Sequence, residues 1–263
     1  MVRTGLDIPE ANPMNLAAER VVEFVPEGRS PAVLEVRNLS VSYGKRQAVS
    51  GVELDVYPGE IIAVLGHNGA GKTSLLRGVL GTVRQRSGIV RYQGQNISNV
   101  PYFKNVAAGI SHMPAELPVF SPLDVETNLR LGAFTQTKKD IAERIPQIWR
   151  IFPRLLDRRR QPAGTLSGGE RRMLAIGMAL MNRPRLILLD EPTVGLAPAT
   201  AYQILSQVAQ LCVETGMAVL LVDQNVRAAL RIASRVYYLR MGRVLLSESA
   251  EAARNRDHYW DLF

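Results

Sequence analysis

Apolar positions along the chain follow two patterns. Leu34, Val36 and Leu39, then Val49, Val52, Leu54 and Val56, alternate with polar residues. A period of two places one face of an extended strand on a core and the other in solvent, so two half-buried strands are predicted here. Three later segments are short unbroken apolar runs. Ile-Ile-Ala-Val-Leu at 61–65 leads into glycines and a lysine, 186–189 ends at Asp190-Glu191, and 218–222 ends at Asp223-Gln224. Such runs predict parallel strands with both faces covered by helices.

Helical periodicity lies between the runs, at roughly 72–80, 168–181, 200–212 and 226–233. Residues 236–239 and 244–246, joined at Met241-Gly242, predict a closing hairpin. Alternation of strand and helix signals defines an α/β fold with a parallel central sheet. About 114–165 carries helical signals without strands and reads as a helical insertion into that core. Residues 1–31, with Pro9, Pro13, Pro26 and Pro31, read as an extension with one or two helical turns around 16–24. The tail, 248–263, is expected to form a helix whose Tyr259, Trp260 and Phe263 dock on the core.

Composition narrows the classes. Of the 263 residues, 46% are hydrophobic and 21% charged, an ordinary globular balance. The single cysteine, Cys212, excludes an internal disulfide framework, and together with His67, His112 and His258 it makes a poor zinc set. Cys212 is expected in the core beside Leu205, Val208 and Leu211. Residues 1–10 lack the apolar stretch of a signal peptide, and no run reaches the roughly 18 apolar residues of a membrane span. A cytoplasmic location is expected. The net charge of +8 is local: 130–172 holds eleven Lys and Arg against four Asp and Glu. Such a segment suits acidic lipid headgroups, a partner's anionic face, nucleic acid, or simply solvent.

The most specific chemistry is at 66–73. Gly66-His67-Asn68-Gly69-Ala70-Gly71-Lys72-Thr73 matches G-x-x-x-x-G-K-[ST], with a predicted strand before it and a helix after. Glycines there let backbone N–H groups converge on phosphate oxygens at a helix N-terminus. Lys72 can reach the β- and γ-phosphates, and the Thr73 hydroxyl can hold Mg²⁺. His67 reads as a spacer. Asp190, at the end of its apolar strand, is the second candidate Mg²⁺ ligand, and Glu191 the candidate base for an attacking water.

A second glycine element follows the insertion. In Leu166-Ser167-Gly168-Gly169-Glu170, Ser167 and Glu170 form a capping box at a helix start. Capping does not call for two glycines, which weaken a helix's first turn. Close approach of a γ-phosphate does. One subunit cannot readily present both loops to one nucleotide, so Ser167, Gly168, Gly169 and Glu170 are expected to act on the nucleotide of a second subunit.

Together these motifs resemble the ATP-binding cassette ATPases over about 34–247. The resemblance implies a P-loop NTPase core with an antiparallel β subdomain and an inserted helical subdomain at about 114–175, within a domain at 32–247. It implies ATP and Mg²⁺ as ligands, Tyr43 stacked on adenine, Ser74 beside Thr73 in the phosphate site, and Gln224 at the γ-phosphate switch position that is usually histidine. A glutamine amide can donate that hydrogen bond but cannot titrate near neutral pH. Gly195-Leu196-Ala197-Pro198 matches the loop after the Asp190 strand, with Ala197 where many relatives have aspartate.

Leu-Val-Asp-Gln-Asn at 221–225 and Met-Leu-Ala-Ile-Gly at 173–177 narrow the resemblance to the second ATPase subunit of high-affinity branched-chain amino acid importers. That subgroup also serves urea and short amides. It implies separate permease subunits, a partner ATPase, a substrate-binding protein, and a position on the inner face of the membrane, where Arg154, Arg158, Arg159 and Arg160 would be membrane- or partner-side charges. One departure bears on catalysis: Ala115 stands where most cassettes have glutamine and this subgroup glutamate, with Glu116 beside it. A catalytically impaired cassette is the alternative this leaves open. The insertion, about 50 residues broken by Pro146, Pro153 and Pro162, cannot form the long coiled coil of chromosome-acting cassettes, and no nucleic-acid partner is expected.

Overall fold

A computed structural model describes residues 30–116 and 118–256. The expected helical turns at 16–24 and the aromatic residues at 259–263 lie outside them. The three apolar runs form adjacent strands: β3 (Ile61–Leu65), β7 (Leu186–Asp190) and β8 (Ala218–Asp223). They sit within a six-stranded sheet of order β10-β9-β3-β8-β7-β6, completed by β6 (Ile110–Met113), β9 (Arg235–Arg240) and β10 (Arg243–Ser249). The β3, β6, β7, β8 and β9 pairings are parallel, and β10 returns antiparallel from the Met241-Gly242 turn.

Every residue of β3, β7 and β8 is buried, yet the period of two persists in which core each one joins. Ile61, Ala63 and Leu65 face the core shared with the helices, while Ile62 and Val64 face the core shared with a second sheet. Each such buried Ile, Val or Leu side chain contributes roughly 1.5–3 kcal/mol. The second sheet is antiparallel, of order β2-β1-β4-β5, from β1 (Leu34–Tyr43), β2 (Arg46–Val56), β4 (Arg86–Tyr92) and β5 (Gln95–Asn96). Helix α1 (Lys72–Leu80) packs between the sheets, with Leu75, Leu76 and Val79 buried. The short helix α2 (Tyr102–Ala107) precedes β6.

The segment between β6 and β7 is helical, as its pattern predicts: α3 (Val125–Gly132), α4 (Lys138–Ile151), α5 (Pro153–Asp157), a 3-10 turn (Ala163–Thr165) and α6 (Gly168–Leu180). Pro146 lies inside α4 without ending it, and Pro153 opens α5 in the first turn, where proline is tolerated. The remaining helices are α7 (Pro198–Thr215), α8 (Val226–Ile232) and α9 (Ala250–Arg254), the described part of the tail. Cys212 is buried with Leu205, Val208 and Leu211, its thiol against the Met217 carbonyl at 2.8 Å. No helix among the described residues is long and apolar enough to cross a membrane.

Candidate functional site: a phosphate loop at the sheet's C-terminal edge

The strand order sets the site. β3, β8, β7 and β6 are consecutive neighbours, so the loops that follow them open along one edge of the sheet. Ligand sites of open α/β folds form at such edges, beyond the carboxyl ends of the strands. Residues 66–73 leave β3 there and enter α1. Gly71 takes the N-cap position with φ 109°, a conformation closed to other residue types, and a Cβ on it would meet the Ala48 carbonyl oxygen at 2.4 Å. The β9–β10 turn presses on the loop from the other side. Gly242 N–H donates to Ala70 O at 2.8 Å, and Ser50 N–H donates to Gly242 O at 2.8 Å. The loop is thereby held between β2 and the closing hairpin, with His67, Asn68 and Gly69 exposed at its crest.

Lys72 is 4% exposed and folds back over the loop that carries it. Its ammonium donates to Gly66 O at 2.8 Å and His67 O at 3.1 Å, and lies 3.2 Å from Glu191 Oε1. Thr73 donates its hydroxyl to Asp190 Oδ1 at 3.1 Å. Burial raises the Asp190 carboxyl to about 6, against the Thr73 hydrogen bond, with Glu191 and Glu116 adding to the rise and Lys72 opposing it. A buried carboxylate beside a hydroxyl, with further carboxylates near, is a hard-oxygen set that suits Mg²⁺. Tyr43, Ser74 and Glu191 line the same open cleft of about 670 Å³ as Gly69, Gly71, Lys72 and Thr73.

Gln224 follows β8, whose last residue, Asp223, pairs with Leu65 of β3. It is exposed at the same edge. Its neighbours are fixed: Asp223 accepts from the Thr193 hydroxyl at 2.7 Å and from Asn225 N–H at 2.9 Å, and burial raises its carboxyl. Glu191 has φ 49°, the left-handed region, which turns its side chain back toward Lys72.

The second glycine element at 166–170, the signature segment, is elsewhere. Ser167 caps α6 with the reciprocal Glu170 bond that the capping box predicts, and neither residue lines the cleft around Lys72. The two glycines differ in cause. A Cβ on Gly169 would press the Thr200 methyl at 2.9 Å, so internal packing accounts for it, whereas nothing lies within 4 Å of a Cβ on Gly168. Ala115 and Glu116 follow β6. Glu116 is exposed, 4.0 Å from Arg77 of α1 and near enough to Asp190 to shift it.

Two features escape sequence reading. Arg172, buried on α6, donates to Ala115 O at 3.3 Å and Val194 O at 3.1 Å, which ties the signature helix to the loops after β6 and β7. No local motif marks it, because its partners are 57 and 22 residues away. The arginine cluster at 154–160 is also less free than its charge suggests. Arg158 lies 2.6 Å from Glu170, and Arg160 sits 3.8 Å from Asp124 and 3.9 Å from Glu126.

A glycine-cradled lysine, a threonine and a strand-borne Asp-Glu pair at one sheet edge define a P-loop nucleotide triphosphatase, and the helical insertion with its capped signature segment makes it a cassette. The ABC transporter family profile matches residues 49–194. The chain belongs to that family, whose ATP-binding domain hydrolyses ATP. It is 42% identical over 220 residues to the high-affinity branched-chain amino acid transport ATP-binding protein BraG of Pseudomonas aeruginosa, covering 84% of this chain and 94% of that one. It is 36% identical over 230 residues to the probable branched-chain amino acid transport ATP-binding protein LivF of Archaeoglobus fulgidus, covering 88% and 98%. The lipopolysaccharide export system ATP-binding protein LptB of Haemophilus influenzae is 35% identical over 229 residues, covering 85% and 93%. A nucleotide-free ATP-binding cassette from an ABC transporter shares the fold, with a TM-score of 0.77 at 23% identity over 86% of this chain and 94% of that one.

Proposed function

We propose that this ABC ATPase powers uptake of branched-chain or related amino acids through separate permease subunits, on the inner face of the membrane. The observation that carries the reading is the 42% identity to BraG across 94% of its length. The similarity to LptB at 35% makes an export system the second reading.

In this reading Tyr43 stacks on adenine and the N–H groups of 66–74 cradle the phosphates. Lys72 leaves the Gly66 and His67 carbonyls to pair with the β- and γ-phosphates. Thr73 and Asp190 would hold Mg²⁺, which would supply neutralisation of phosphate charge. Glu191, released from Lys72, orients and polarises the attacking water, and Gln224 donates its amide to the γ-phosphate. Ser167, Gly168, Gly169 and Glu170 close over the nucleotide of a second ATPase subunit, homologous or identical. Closing and reopening of that dimer drives the permease between its two states. A substrate-binding protein delivers the solute from outside. Glu116 takes the place of the residue missing at Ala115 in linking the site to the permease.

The test is purification of the full-length chain from solubilised membranes, followed by reconstitution with whatever integral membrane protein accompanies it. The reading expects such a partner, and ATP hydrolysis stimulated by a leucine- or valine-loaded binding protein. Stimulation by a lipopolysaccharide substrate instead would favour the export reading. Recovery of no integral membrane partner would overturn both.

A further inference from the structure

Glu170 presents an anomaly at the mouth of the proposed composite site. It is the third residue of α6, at the helix end that would meet the partner's nucleotide, and it carries a negative charge to a place meant for a polyphosphate. A neutral glutamine would complete the same capping box. Both of its oxygens are engaged. Oε2 accepts from Ser167 N–H at 2.9 Å and from the Ser167 hydroxyl at 2.8 Å, and Oε1 meets Arg158 Nε at 2.6 Å. Arg158 is in turn held by its neighbours: its Nη1 donates to Gln161 Oε1 at 3.0 Å, and Gln161 Nε2 donates to Thr165 Oγ1 at 2.7 Å. Thr165 lies two residues before Ser167, so the side chains form a closed loop around the turn that delivers the signature segment.

We propose that Arg158 is a positioning residue of the composite nucleotide site, which neutralises Glu170 and keeps its carboxylate on Ser167, so that α6 meets the partner's γ-phosphate as a neutral, donor-rich end. The proposal rests on the reading that 167–170 close over the nucleotide of a second subunit. Without Arg158 the Glu170 charge is uncompensated, cancels the attraction of the helix N-terminus for anions, and repels phosphate. The arginine is 45% exposed, so its loss removes a charge without opening the core. This also gives one member of the basic cluster a role within the ATPase, distinct from contact with a membrane.

The experiment compares the effect of Arg158→Ala in two backgrounds, natural Glu170 and Glu170→Gln. Two readouts are used: the KM for ATP of the purified full-length chain, and ATP-driven self-association of the Glu191→Gln chain by sedimentation. With Glu170 present, Arg158→Ala is expected to raise KM about fivefold with kcat changed by less than about twofold, and to weaken association by a similar factor. The KM defect should grow as ionic strength falls. With Glu170→Gln, the same substitution is expected to change neither quantity by more than about 1.5-fold, because no charge remains to be neutralised. Equal effects in both backgrounds would make Arg158 merely structural and overturn the proposal, as would no effect in either. If the Glu191→Gln chain shows no ATP-driven association, either with itself or with a homologous partner ATPase subunit, the composite site itself is contradicted, and this inference falls with it.

Discussion

Lys72 Nζ stands 3.2 Å from Glu191 Oε1, and Glu191 meets it from a left-handed backbone conformation with φ 49°. For a residue other than glycine that conformation costs roughly 1–2 kcal/mol. It is sustained here by the backbone bond from Glu191 N–H to Val222 O at 2.8 Å and by the ion pair itself. The residue proposed to bind phosphate and the residue proposed to polarise water therefore hold one another in this structure. Lys72→Ala removes the charge proposed to bind phosphate and leaves Glu191 without its cation. Hydrolysis should fall at least about 100-fold, measured as phosphate release at saturating ATP.

The exposed glycine of the signature segment offers a separation of stability from function. Nothing lies within 4 Å of a Cβ on Gly168, and an acidic residue in a helix's first turn is favourable. Gly168→Asp should therefore leave the melting temperature within about 2 °C of the parent, while cutting ATP hydrolysis at least about tenfold by repelling the partner's nucleotide. A variant that hydrolyses ATP normally would remove 167–170 from the site.

Ala197 is the N-cap of helix α7 and offers no side-chain cap. Aspartate there would accept from the first-turn N–H groups and favour the helix dipole. Ala197→Asp should stabilise the fold by about 1 kcal/mol, read as a rise of about 2–4 °C in thermal unfolding.

His112 sets an acid limit on stability. Burial depresses its pKa to about 4, with Arg77 adding to the fall and Glu116 opposing it, and its Nε2 is buried without a hydrogen-bond partner among the described residues. The unfolded chain takes up a proton near pH 6.5, whereas the folded one resists it until about 4. The stability that the neutral imidazole allows is thus fully present above pH 6.5 and is lost as pH falls toward 4. The loss from this group is on the order of 3 kcal/mol. In urea titrations across that range, His112→Leu should lose less stability than the parent by about that amount. Parallel pH profiles would show that His112 is not the group responsible.

Much of this was legible in the residues. The runs at 61–65, 186–189 and 218–222 are uninterrupted because both faces of each strand are buried, and each ends at the chemistry it carries. β6 was not legible: Ser111 and His112 break its apolar run, and only pairing with β7 makes it a strand. The antiparallel strands β4 and β5 were missed for a similar reason, since Ile89 is exposed and only Val90 and Tyr92 of β4 are buried. At the site, Lys72, Thr73, Asp190 and Glu191 follow from local spacing. The left-handed turn at Glu191, the Arg172 bridge and the Arg158–Glu170 pair do not. Each depends on where distant segments meet, which no local window contains.

The most direct test of the account is ATP turnover by the full-length chain with Glu191→Gln, measured beside its affinity for ATP. The substitution preserves shape and removes the base. The account predicts that turnover falls at least about 100-fold while ATP still binds within about threefold of the parent affinity. Turnover equal to that of the parent would contradict it, because the water would then be activated by some other group.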